Sequence, residues 1–236
     1  MRLTSTTATE TRKNGFGFLL SNNLLNEIKK NLLDLLFPRC CAGCGRVDDG
    51  WCLHCQQELD AVPIENLHHG DSVEIIATGI HKNKLQQAVH ALKYENLPEL
   101  CHPLGQRLIA RLKNADWAID LIVPIPMHPT RLKHRGYNQA QLLAEVVATG
   151  LSIPHVPTAI ERTTETISQV GLSAEERKKN VANTFSANVD IIAEKNILLV
   201  DDVCTTGETI TACTHAALAA GANKIYGLTV TTPQLQ

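Results

Sequence analysis

Ile197 to Val200 is an unbroken apolar run that ends at two adjacent carboxylates, Asp201 and Asp202. A run apolar on both faces reads as a buried strand of a parallel sheet. Asp120 to Pro126 (DLIVPIP) repeats the pattern and stops at two prolines. Glu74 to Ile80, Lys224 to Thr232 and His155 to Arg162 read as further strands. Between them the apolar period changes to that of a helix. Leu85, Val89 and Leu92 share a face over 84–94, and Leu100, Leu104, Leu108 and Leu112 form a stripe in a helix opened by Pro98. Leu143 and Val147 point inward over 138–149, and a helix from Thr209 to Ala220 stops at Gly221. Strands alternating with helices predict an α/β fold, a doubly wound parallel sheet. Near the start, Leu24, Ile28, Leu32, Leu35 and Leu36 line one face of an amphipathic helix ended by Pro38. That face reads either as packing on the protein or as a membrane-surface contact, since Lys29 and Lys30 lie opposite.

The chain has 236 residues, enough for one ordinary core and a small appendage. Its hydrophobic content of 44% is that of a globular protein. A net charge of −2 sets up no global field for nucleic acid or membrane, so any such contact must come from a local patch. The 4% of aromatic residues argues against a stacking-platform design for single strands. No apolar run is long enough to span a bilayer, and the polar start carries no apolar core of a signal peptide. Eight cysteines, four of them in two C-x-x-C pairs, fit an intracellular metal site better than a disulfide framework.

Chemistry enters at the end of the Ile197–Val200 strand. Open α/β sheets bind ligands at the carboxyl ends of their strands. There Asp201 and Asp202 can accept hydrogen bonds from a vicinal diol such as that of a ribose. Thr205, Thr206 and Thr209 offer hydroxyls, and Gly207 lets backbone N–H groups approach an anion. The following helix points its positive N-terminal end at the same spot. The composite reads as a site for a sugar bearing a phosphate. Neither a P-loop nor a dinucleotide fingerprint is present.

The second concentration is CAGCGRVDDGWCLHC. Cys41-x2-Cys44 and Cys52-x2-Cys55 supply four thiolates at spacings that suit a closed, tetrahedral zinc site. A redox pair is the competing reading. Cys40 can replace Cys41 through a C-x3-C spacing, while His54 sits inside the second pair and is the weaker ligand candidate.

Two more segments carry charge. VPIPMHPTRLKHRGYNQA follows a strand and holds Arg131, Lys133 and Arg135 with no acidic residue between Leu121 and Ala144. It suits a pyrophosphate or a nucleic-acid backbone, and a solvated basic loop competes. RTTETISQVGLSAEERKKN is too long and polar for a buried connection and reads as a lid, as a surface helix capped by Ser173 with Glu176 in its first turn, or as both.

The run ILLVDDVCTTGETI resembles the phosphoribosyl-pyrophosphate (PRPP) motif of type I phosphoribosyltransferases. Together with FPRCCAGCG, WCLHC, LKYEN, VPIPMHPTRLKHRGYNQA and RTTETISQVGLSAEERKKNVANTF, it gives a chain that closely resembles the ComF/GntX (competence protein F) family from about residue 35 to 232. The resemblance implies a type I phosphoribosyltransferase-like domain over 63–236 and a zinc knuckle that joins the amphipathic helix in 23–62; the polar start, 1–22, reads from its composition as a disordered tail. It implies catalytic roles for Asp201, Asp202 and Arg135, the two acids meeting the ribose of PRPP. Val203, Cys204, Thr205, Thr206, Gly207, Glu208 and Thr209 would form the 5′-phosphate cradle, with Cys204 contributing backbone. Val123 to His128, with Pro126, resembles the pyrophosphate loop, and Arg131 and Lys133 would add charge to it. Thr163 to Gly171 resembles a flexible hood. The implied cofactors are a structural Zn²⁺ on Cys41, Cys44, Cys52 and Cys55, and PRPP with Mg²⁺. The implied setting is natural transformation: a cytoplasmic protein, peripheral at the inner membrane, with single-stranded DNA and inner-membrane DNA-uptake proteins as partners. Phosphoribosyl transfer and a non-catalytic module that senses a nucleotide or binds a single strand, docking a partner through the zinc knuckle, both stay open, because no segment reads the acceptor.

Overall fold

The computed structural model describes residues 40–47, 50–65, 67–69, 73–163 and 184–233. The 1–22 tail, the amphipathic helix ending at Pro38 and most of the RTTETISQ segment lie outside the described residues. Elements run α1 (Leu53–Asp60), β1 (Leu67–His69), β2 (Glu74–Ala77), α2 (Asn83–Tyr94), a 3₁₀ turn (Pro98–Leu100) and α3 (Cys101–Leu112). They continue with β3 (Leu121–Pro124), α4 (Pro129–Arg135), α5 (Gln139–Leu151), β4 (Ile160–Arg162) and β5 (Phe185–Ala187). The chain closes with α6 (Val189–Ile192), β6 (Asn196–Val203), α7 (Glu208–Ala219) and β7 (Lys224–Thr231).

Five strands form one sheet in the order β1-β2-β7-β6-β3, parallel except for β1 at the edge. β6 is central, with Ile197 to Val200 opposite Leu121 to Pro124 on one side and Ile225 to Leu228 on the other. The two-residue period sorts its side chains between two cores. Leu198 and Val200 join Leu85, Leu92, Leu104, Leu108 and Leu143 of α2, α3 and α5 on one face. Ile197 and Leu199 join Ile210, Cys213 and Ala217 of α7 on the other, with Phe185 of the separate β4–β5 ribbon. Helices on both faces make the doubly wound sheet that the alternation predicts.

The expected elements hold, with informative differences. The strand anticipated from His155 onward is a single bridge of His155 to Ile122, and pairing resumes only at Ile160. The basic stretch contains a helix, α4, which has no buried residue and so no apolar period to reveal it. Its ends are marked instead: Pro129 opens it, the His128 ring accepts from the Thr130 N–H, and Gly136 closes it in the left-handed region.

The N-terminal knuckle shares the main core. Leu59 of α1 is fully buried in the cluster of Leu85 and Leu92. Buried Arg107 of α3 donates to the carbonyls of Leu59, Val62 and Pro63, at 3.3, 2.7 and 3.0 Å. Those carbonyls lie in the last turn of α1 and just beyond it, where helix bonding runs out, and a guanidinium is a natural partner for them.

Candidate functional site

The thiol cluster is assembled by two short local devices. Residues 41–45 turn back so that the Gly45 N–H donates to the Cys41 carbonyl, and Cys52 caps α1, its sulfur accepting from the Cys55 N–H. Gly43 is required where it stands, since a Cβ there would lie 2.7 Å from the Cys55 sulfur. The sulfurs of Cys41, Cys44, Cys52 and Cys55 all lie within 4.8 Å of one another, and Cys40 stands outside the group, bridged to Val47. The Cys41–Cys55 and Cys44–Cys52 separations are both 3.6 Å. That is far beyond the roughly 2.05 Å of a disulfide and close to the about 3.8 Å edge of a tetrahedron with 2.3 Å metal–sulfur bonds.

Electrostatics point the same way. Burial and the neighbouring thiols push Cys55 up to about 12, against the opposing ammonium of Lys84 at 3.3 Å. Burial raises Cys41 too, but N–H groups of Cys52, Gly43 and Cys44 outweigh it and hold it at about 6. Ionising all four thiols this close together is unfavourable, and a divalent cation at their centre would remove that penalty. The cluster is therefore compatible with a structural zinc.

The second site is a cavity of about 290 Å³ at the carboxyl ends of β3 and β6. Asp201, Asp202 and Val203 of β6 meet Thr205 and Thr209 of the following loop, Pro126 to His128 after β3, Arg131 and Arg135 of α4, and Arg162 of β4. Lys93 at the end of α2 enters beside them, its Nζ 2.9 Å from Asp202 Oδ1. The Asp202 N–H donates to Asp201 Oδ1 at 2.8 Å. Burial, and then the charge of Asp202, push the Asp201 carboxyl up to about 8. So one acid is ion-paired and its neighbour is held protonated near neutral pH. Two carboxylates at one strand end thus take different roles.

The cations are unequal as well. Burial lowers Arg162, and the adjacent charge of Arg131 lowers it further. Two guanidiniums that disfavour each other across a cavity make a place for an anion. The loop after β6 turns at Gly207, which takes φ +78° and precedes α7: the Gly207 N–H turns back to the Cys204 sulfur, the Glu208 N–H meets Thr206 Oγ1 at 3.4 Å, and the first helical bond runs from the Thr211 N–H to the Gly207 carbonyl. Cys204 is buried behind it and its N–H is tied to the Thr231 carbonyl, while burial and Asp201 push its thiol up to about 11. It is an inert neutral filler.

Of the residues singled out from the sequence, Asp201, Asp202, Val203, Thr205, Thr209, Pro126, Arg131 and Arg135 line this cavity. Thr206 and Glu208 are exposed on the same loop, and Gly207 is buried in it. Lys133 does not line the cavity: Arg131 and Arg135 are four apart on α4 and share its face, whereas Lys133 points elsewhere. Lys93 and Arg162 were missed. Each heads or sits inside a motif, LKYEN and RTTETISQ, and only tertiary contact reveals its charge as part of the site. RGYNQA has a structural job. The Tyr137 hydroxyl donates to the Leu92 carbonyl at 2.5 Å, and Asn138 caps α5 while donating to the Ile125 carbonyl at 3.0 Å. These bonds fix α2, α4 and the loop after β3 to one another.

No helix among the described residues is long and apolar enough to cross a membrane. No family model matches the chain. Among solved structures it is similar to the glutamine PRPP amidotransferase of B. subtilis complexed with ADP and GMP, with a TM-score of 0.44 and 16% identity over 60% of this chain and 30% of that one. It is also similar to adenine phosphoribosyltransferase of Saccharomyces cerevisiae, with a TM-score of 0.42 and 17% identity over 77% of this chain and 89% of that one. DNA utilization protein YhgH of Escherichia coli K12 is 31% identical over 143 residues, 58% of this chain and 63% of that protein. Competence protein F of Haemophilus influenzae is 30% identical over 186 residues, 72% of this chain and 80% of its own length. An identity of that level, running through most of both proteins, makes this chain a member of the competence protein F family.

Proposed function

We propose that the chain binds PRPP with Mg²⁺ and acts in the uptake or use of DNA. One observation carries the ligand: a half-neutral acid pair at a parallel strand end, ringed by Lys93, Arg131, Arg135 and Arg162. A ribose diol donates to carboxylates, and a pyrophosphate needs several cations, so the two halves of the cavity match the two halves of PRPP. Asp201 and Asp202 hold the diol, and their role becomes catalytic if charge develops at C1 of the ribose. The loop from Val203 and Cys204 through Thr205, Thr206, Gly207, Glu208 and Thr209 takes the 5′-phosphate on N–H groups and hydroxyls at the start of α7. Pro126 and its neighbours, with Arg131 and Arg135, take the pyrophosphate. Mg²⁺ would neutralise the pyrophosphate oxygens and so stabilise it as a leaving group.

Cys41, Cys44, Cys52 and Cys55 hold a structural Zn²⁺, an assignment supported by the sulfur separations. The setting rests on relatives named competence protein F and DNA utilization protein YhgH. It is a cytoplasmic role beside inner-membrane DNA-uptake proteins, with single-stranded DNA as the shared substrate of that machinery. The test is calorimetric titration of PRPP with Mg²⁺ into the wild type and Asp201→Asn/Asp202→Asn, together with an assay of pyrophosphate release in the presence of nucleobases and amines. Binding lost in the double variant supports the site; equal binding in both rejects it. Release of pyrophosphate separates transfer from binding alone.

A further inference from the structure

A second cavity of about 530 Å³ adjoins the first, lined by Lys93, Tyr94, Asn96, Thr130, Arg131, His134 and Arg135. No carboxylate lines it among the described residues. Its wall holds an aromatic residue that the fold does not bury. Tyr94 is 65% exposed, while the other described tyrosines are engaged: Tyr137 in its bond to Leu92, and Tyr226 buried and stacked on Trp117. Exposing a large ring costs apolar burial, so an exposed aromatic in a cationic cavity calls for a ligand that covers it.

The ring is also held in place. The Arg135 guanidinium lies 5.2 Å over its centroid, and His90, four residues back on α2, sits 4.8 Å away at a tilt of 47°. Arg135 in turn belongs to α4, whose C-terminal flank is pinned to α2 through Tyr137 and Leu92. The result is a fixed flat surface, a ring and a planar cation together, with Arg131 and His134 able to donate to an anion beside it. Flat π-surfaces next to phosphate-binding cations recognise nucleotides, because a base has a π-face and its sugar carries a phosphate. A coenzyme or lipid without a planar ring would leave Tyr94 uncovered.

We infer that this cavity is a nucleotide subsite, with the base stacked on Tyr94 and Arg135 and the phosphate held by Arg131 and His134. It shares Lys93, Tyr94, Arg131 and Arg135 with the PRPP cavity, so ligands in the two would lie side by side. The inference goes beyond the PRPP reading and stands without it. The nucleotide is either free or one unit of a single strand, and both present the same base and phosphate.

The test measures binding of adenosine 5′-monophosphate, of a deoxythymidine decamer and of ribose 5-phosphate, the last as a phosphate without a base. Wild type, Tyr94→Leu, Tyr94→Phe and His134→Ala are compared, each checked for an unchanged melting temperature. Tyr94→Leu should lose about 5- to 100-fold in affinity for the base-bearing ligand, the loss of one stacked base. Tyr94→Phe should keep it. His134 lines only the second cavity, so His134→Ala should weaken the nucleotide several-fold and leave PRPP affinity as it was. Loss with the decamer alone assigns the subsite to a strand, and loss with the monophosphate alone to a free nucleotide. The proposal falls if the wild type binds neither more tightly than ribose 5-phosphate, or if Tyr94→Leu binds both as the wild type does. Because PRPP is titrated into the same samples, failure of the PRPP reading appears separately.

Discussion

Helix α2 carries a lysine near each end, and the two serve sites of opposite character. Lys84 donates to Glu58 at 2.9 Å, to the Cys55 sulfur at 3.3 Å and to the Gly43 carbonyl at 3.4 Å. Its anions come from a knuckle whose sulfurs face one another and leave no open position. Lys93 meets Asp202 at 2.9 Å in a cavity open to a ligand, beside an acid that burial keeps protonated. A closed donor set spends its chemistry on holding the fold together. An open set with mismatched acids and crowded arginines leaves room for a ligand's charge. The contrast lets each site be disturbed without the other, except where the two share the core.

The largest disturbance is removal of a thiolate. Cys52→Ser should release the zinc and lower the melting temperature by on the order of 10 °C, the loss of several kcal/mol in a domain of this size. Because Leu59 and Trp51 pack with Leu85 and Leu92, the fall should come as one broadened transition of the whole molecule. Metal analysis and calorimetry check this. Full zinc occupancy in the variant would remove the knuckle assignment, and two separated transitions would show that the cores are independent.

The next effect belongs to the open end. At 100 times its dissociation constant PRPP should stabilise the wild type by about 2.7 kcal/mol, and Asp201→Asn/Asp202→Asn should abolish that gain. The ligand-free protein offers a sharper sign. Asp201 titrates near 8 when folded and near the ordinary carboxyl value when unfolded, so between about pH 4 and 8 the native state binds the extra proton. Stability must then fall as pH rises through that window and level off above it. Asp201→Asn keeps the neutral form throughout. It should flatten the slope and add about 1–3 kcal/mol at pH 8, less than the full linkage value because Lys93 and solvent relax the pair. Urea titrations at pH 5 and pH 8 read both; a stability that rises with pH by the same amount in both proteins contradicts the burial of Asp201.

What the chain reveals before folding follows the same division. The central strand was legible because Ile197 to Val200 has no polar residue, and in the structure its side chains divide between two cores. The cysteine cluster was legible because its ligands are close in sequence. The two carboxylates stood at a strand end, where ligand sites recur. Lys93 and Arg162 were not legible as site residues, since each is distant in sequence from Asp201 and only the packing of a helix and of the separate β4–β5 ribbon against the sheet brings them together. Helix α4 escaped because its one large apolar residue, Leu132, is 42% exposed, so nothing in its pattern distinguishes it from a loop. The three-residue strands β1 and β5 are too short to display a period.

A smaller change tests whether the two lysines are interchangeable. Lys84→Met should weaken zinc by about 10- to 100-fold, the usual cost of losing a partner that supports a metal ligand, while PRPP affinity holds. Lys93→Met should do the reverse: zinc stays, PRPP weakens, and Asp202 loses the cation that compensates its burial, at a cost of about 1–3 kcal/mol. Competition of each variant against a chelator, followed by PRPP titration, gives both numbers. Zinc loss in Lys93→Met would mean that α2 transmits strain between its ends.

The smallest expected effect is the most exacting test of the cavity. Arg131, Lys133 and Arg135 lie within five consecutive residues and carry the same charge, so a field acting at long range would value them alike. The helix does not. Arg131 and Arg135 share the face turned to the cavity, and Lys133 is exposed away from it. If PRPP is held by direct contact, Arg131→Ala should lose about 1.5–3 kcal/mol of binding, as for a hydrogen bond to a charged group, and Lys133→Ala within about 0.5 kcal/mol of nothing. Ribose 5-phosphate, seated on the Thr205–Thr209 loop, should bind both variants as it binds the wild type. Titrations at two salt concentrations separate contact from field, because an exposed lysine acting through the field loses its influence as salt rises. Equal losses at Arg131 and Lys133 would mean that α4 acts as a charged patch, and the pyrophosphate would then have to be sought elsewhere along the strand ends.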